Sequence, residues 1–124
     1  MSWLTIPAVL QLVVGLGLLN VWLVRPSSPT AYRGGGARSL KEEFAVYGLP
    51  GFAFYVVGGL KIAASLVLIA GVWVSLPVTI AAGVVAVLML GAIAMHVKVG
   101  DAPKKAAPAA TMLLLSAAIV LLTR

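Results

Sequence analysis

Cysteine is absent from this sequence of 124 residues. Disulfides, thiolate metal sites and thiol redox relays are therefore excluded, as are quinone-linked membrane enzymes that work through cysteine pairs. Acidic residues are nearly as scarce: Glu42, Glu43 and Asp101 are the three in the chain. His96 is the single histidine, and with no second imidazole or thiolate beside it no metal site is expected. Charged residues of either sign make up 10% of the chain against 62% hydrophobic. One domain of this length cannot hide so much apolar surface within itself. Its natural solvent is a lipid bilayer. The net charge of +6 then belongs with anionic headgroups, and no nucleic-acid partner is expected.

What the chain does have is four long apolar runs, over residues 3–24, 51–74, 78–97 and 106–123. The first, as a helix, is about 33 Å long, enough to cross a hydrocarbon core of about 30 Å. No basic stretch precedes it and it is long for the apolar part of a signal peptide, so it reads as a span. Pro77 separates the second run from the third across a tight turn at Ser75 and Leu76. The expected fold is all-α: an integral membrane four-helix transmembrane bundle forming a single membrane domain over residues 1–124. Arg25, Arg33, Arg38 and Lys41 fall between the first two runs, and Lys98, Lys104 and Lys105 between the last two. Both loops lie on one side of the bilayer, which predicts that they are cytoplasmic and that both termini are outside.

The loop over residues 25–50 has internal order. Its Pro and Gly content disfavours regular structure through Gly36. Ser39 followed by Glu42 has the spacing of a capping box, and Gly48 with Pro50 is a stop signal. Leu40, Phe44 and Tyr47 share one helical face between them. A short interfacial helix over 40–47 is expected, the alternative being a frayed first turn of span two. Before span four, Asp101 is expected to cap the helix that Pro103 begins.

Lys61 is the residue that most needs an explanation, because it lies near the middle of span two. A lysine there costs about 2.5–3.5 kcal/mol on insertion scales. Gly58, Ala64 and Ser65 share its face, the small residues that admit a neighbouring helix, so the amine is expected to point into the bundle. Snorkelling to the interface is the alternative. With Asp101 and Glu42 engaged as caps, Glu43 is the expected counter-ion. His96 lies near the loop end of span three, where a hydrogen-bonded structural role is the plainer reading and a functional one the alternative. Asn20 suits a shared site with His96 and Arg25. Gln11 is expected to join helices or to meet Lys61 at similar depth; two polar links between helices is the plainer reading of the pair. Trp3, Trp22 and Trp73 fall near span ends and read as an interfacial aromatic belt. No catalytic residue is assigned.

Four spans in this order, with "FAVYGLPG" at 44–51, "GLKIAASLVLIAG" at 59–71, "GAIAMH" at 91–96 and "GD" at 100–101, resemble the DoxX and DoxX-like membrane proteins. The resemblance implies a bundle in a bacterial-type inner membrane. Some relatives are similar to the small membrane subunit of a thiosulfate:quinone oxidoreductase, or to anchors of redox-protective complexes; distant eukaryotic ones look like assembly factors. Membrane lipids, and a homo-oligomer or larger membrane complex, are the partners it implies. Two functions are therefore expected to compete. One is a non-catalytic subunit or assembly partner, which the scarcity of reactive side chains favours. The other is a binder or enzyme for a lipophilic molecule such as a quinone, held by Lys61, Glu43, His96 and Asn20. No cofactor is expected beyond such a quinone. A transporter fits four short spans poorly.

Overall fold

The computed structural model describes residues 4–24 and 32–124. The first helix, α1, runs from Ile6 to Leu19 and continues in wider π-type turns over Asn20–Val24. Thr5 caps it, its hydroxyl accepting from the Ala8 N–H at 3.2 Å. A short helix, α2 (Leu40–Val46), follows the glycine turn Gly34–Gly36. The long helices α3 (Gly51–Ala70), α4 (Val78–Lys98) and α5 (Ala107–Thr123) complete the chain. No strand occurs among the described residues. Four helices are long and apolar enough to cross a membrane, the fourth when α5 is counted with the 3-10 turn Pro103–Ala106 that leads into it. The chain is a multi-pass, all-α membrane bundle.

The helices close into a ring. α1 packs on α3, α3 on α4, α4 on α5 and α5 back on α1, with α4 and α5 sharing the largest contact. Each helix offers the ring a narrow stripe. On α1 the stripe is Ala8, Gln11, Gly15, Leu18 and, beyond it, Trp22; on α4 it is Val78, Ala82, Val85, Met89 and His96, all buried. Steps of three and four residues keep each stripe on one side. The opposite faces carry exposed Leu, Val and Ile, among them Ile6, Leu16, Leu66, Val87 and Leu114. Such faces are at home in acyl chains.

Small residues set the distances. A Cβ on Gly58 would sit 2.6 Å from the Trp22 ring, and one on Gly15 would sit 2.6 Å from Ile69, so α1 and α3 approach through their glycines. α3 stops at Ala70, four residues before the expected end of its apolar run, and Gly71 begins the turn into α4. At that end the Thr79 and Thr123 hydroxyls meet at 2.7 Å. At the other end the loop folds back over the bundle, held by α2 and by Gly35 and Gly48, which take positive φ of 60° and 77°.

Candidate functional site

The loop end of the ring contains a cavity of about 320 Å³, at the lower end of the range of ligand pockets, about 300–1,000 Å³. Its apolar wall comes from α1, α4 and α5, including Leu18, Met89, Ala92 and Met112. Its charged or imidazole groups are Lys61 from α3, His96 from α4, Glu43 from α2, Arg33 from the glycine loop and Lys105 from the turn before α5, and Tyr32 also borders it. Lys61, His96 and Glu43, expected together from the sequence, therefore border one space.

Lys61 reaches that space because its helix turns the right face inward. Gly58, Ala64, Ser65 and Leu68 are buried on the same side, and the Ser65 hydroxyl donates to the Lys61 carbonyl at 2.6 Å. The amine lies 5.3 Å from the centre of the Trp22 ring, a cation–π contact of about 0.5–2 kcal/mol. Trp22 is itself wedged between Phe44 and Phe54, at centroid distances of 6.0 and 5.3 Å.

The expected ion pair between Lys61 and Glu43 is not formed. Among the described residues no carboxylate oxygen lies within 4.0 Å of the Lys61 amine. Glu43 faces Arg33 at 3.5 Å and accepts from the Tyr47 hydroxyl at 2.6 Å. Glu43 sits on α2, Tyr47 caps its end and Arg33 precedes the glycine turn that leads into it, so the three meet locally. Burial, then the bond to Glu43, push the Tyr47 phenol above its usual range, so it stays a donor.

Asp101 also departs from expectation. It does not cap the last helix, whose lead-in turn has Ala102 at its N-cap and no side-chain cap bond. Gly100 at a φ of 72° turns the chain so that Asp101 points back to α4 and the glycine loop. It sits 2.8 Å from His96 Nδ1, accepts from the Gly35 N–H at 3.0 Å, and lies 3.7 Å from Lys105. Desolvation pushes its carboxyl up, but the Gly35 N–H, His96 and Lys105 outweigh that and hold it below the usual carboxylate range. The Lys105 amine also donates to the Arg33 carbonyl at 3.1 Å. Lys98 donates to the Tyr47 carbonyl at 2.8 Å, where α2 ends.

Two other expected residues lie elsewhere. Asn20 is exposed, because it falls two residues from both Leu18 and Trp22, roughly opposite the buried stripe on a helix of about 3.6 residues per turn. Gln11 is buried at the far end, its amide donating to the Leu68 carbonyl at 2.9 Å. It joins α1 to α3 and does not meet Lys61. Arg25 and Trp3 lie outside the described residues. Conversely, Trp22, Arg33 and Lys105 border the cavity without having been expected there. For Trp22 the signal existed, since it continues the α1 stripe in steps of three and four. Among the described residues no group of three metal-ligating side chains occurs.

Residues 35–119 match the sequence profile of the DoxX-like family. Neither a curated protein nor a solved structure matches the chain.

Proposed function

This chain belongs to the DoxX-like family, and from that premise we propose that it binds a lipophilic small molecule through the cavity at its loop end. The observation behind this reading is the cavity itself: apolar on its α1, α4 and α5 walls, with Lys61 and His96 among its few polar groups. That combination suits an amphiphile whose oxygen-bearing head meets the polar groups while its tail follows the helices. Quinones belong to that class. The site is a binding site in this reading, with no reacting nucleophile assigned. The lysine-rich loops favour a position facing the cytoplasm in an inner membrane.

The test is native mass spectrometry of the protein taken from membranes into nanodiscs, beside an Ala92→Phe variant that fills the cavity. The expected outcome is a small molecule bound to the parent protein and lost from a folded Ala92→Phe protein. Equal retention by both, or no bound molecule together with no saturable uptake of a decyl-substituted quinone or dodecyl amphiphile, would remove the reading.

A second reading, a subunit or assembly partner in a larger membrane complex, draws on the outward faces. Only 17% of the fourth span's apolar window is buried within the chain, which leaves most of it for lipid or another protein. Copurification of a stoichiometric partner in mild detergent supports that role; clean monomers in every detergent count against it.

A further inference from the structure

Around the loop-end cavity the charges do not balance. Arg33, Lys61 and Lys105 border it as cations, and Glu43 as an anion; Asp101 stands behind His96 and Lys105. Glu43 attracts Lys61 from beyond ion-pair distance, but its carboxylate is held directly by Arg33 and Tyr47. Asp101 is taken by His96, Gly35 and Lys105. The third carboxylate of the chain, Glu42, is exposed on α2. Residues 1–3 and 25–31 contain no acidic side chain, so the undescribed segments bring none. Lys61 is left as a cation with the face of Trp22 on one side and, among the described residues, no hydrogen bond from its amine. A lysine inside a bundle is costly unless something answers its charge. Trp22 answers part of it, because a ring face attracts a cation but accepts no hydrogen bond of ordinary strength.

We propose that the ligand is anionic: an amphiphile with a singly charged head, such as a carboxylate or phosphodiester, on an apolar chain. This deepens the binding reading and rests on it. The head oxygen accepts from the Lys61 amine, and the single negative charge balances the site. The chain lies along Leu18, Met89 and Met112. A neutral head, a quinone included, accepts a hydrogen bond from Lys61 but leaves the charge uncompensated. A free fatty acid and a lipid headgroup offer the same chemistry.

The experiment compares dodecanoate, dodecanol and a decyl-substituted quinone, with the full-length protein in phosphatidylcholine nanodiscs. Trp22 emission reports occupancy in a Trp3→Phe, Trp73→Phe background, and affinities are referred to the concentration in the bilayer. Charge-assisted hydrogen bonds are roughly twice as strong as neutral ones, so dodecanoate is expected to bind at least about tenfold more tightly than dodecanol. Lys61→Met should abolish that preference and Lys61→Arg should keep it. Competition from added phosphatidylglycerol would identify a lipid head as the source, and its absence a free acid; either supports an anionic ligand. Dodecanol or the quinone binding as tightly as dodecanoate overturns the anionic inference and leaves the binding reading intact. No saturable binding of any of the three overturns both.

Discussion

Asp101 shows how one side chain can organise an end of a bundle. It collects the Gly35 N–H, the His96 imidazole and the Lys105 amine, and so ties the glycine loop to α4 and to the lead-in of α5. Its folded pKa is depressed. The stabilisation it contributes is therefore complete above the unfolded value of about 3.9 and is lost as pH falls through the lower folded value. The amide shift of Gly35, followed by NMR in micelles, should show a step with its midpoint below about 3.9. Asp101→Asn should remove that step. A midpoint at or above the ordinary carboxylate value would mean that the cluster does not form. The sequence marked Lys61 as a residue that a membrane tolerates only for a reason, and it borders the cavity together with His96. It misassigned Asp101 and Glu43, because partner choice depended on how the loop returns, and helical periodicity carries no information about a glycine turn. Arg33 and Lys105 were legible only as loop charges for the same reason.

Among the elements, α2 is the one whose limits depend most on local chemistry. Ser39 opens it by accepting from the Glu42 N–H at 3.1 Å, and Gly48 closes it with a positive φ. Removing the cap by Ser39→Ala should cost about 1 kcal/mol. Amide exchange within Leu40–Val46 should then quicken about fivefold, with Ser39→Asp restoring protection. Unchanged exchange would show that packing on α3 alone holds the helix. The existence and order of these helices were readable because capping boxes, proline breaks and apolar runs are local signals. The stripe of α1 was readable too, and following it past Leu18 would have brought Trp22 inward and turned Asn20 outward. What periodicity could not supply is the approach of α1 to α3 at Gly15 and Gly58, which needs both helices at once.

For the whole molecule, the ring of four spans follows from composition: an apolar chain of this size has no interior large enough for its Leu, Val and Ile. The side on which the loops lie is testable without background, since the chain has no cysteine. In intact cells, Ser75→Cys should react with an impermeant maleimide, whereas Arg38→Cys should react only after the membrane is opened. The reverse pattern would invert the proposed orientation. The cavity occupies the loop-side half of the ring, while the other end has a separate, more open cleft between Gln11, Gly71 and the turn before α4, beside the Thr79–Thr123 hydroxyls. A chamber at that depth belongs to a single leaflet. A molecule bound there as proposed would exchange with that monolayer, so the two faces of the membrane would not be equivalent reservoirs for it.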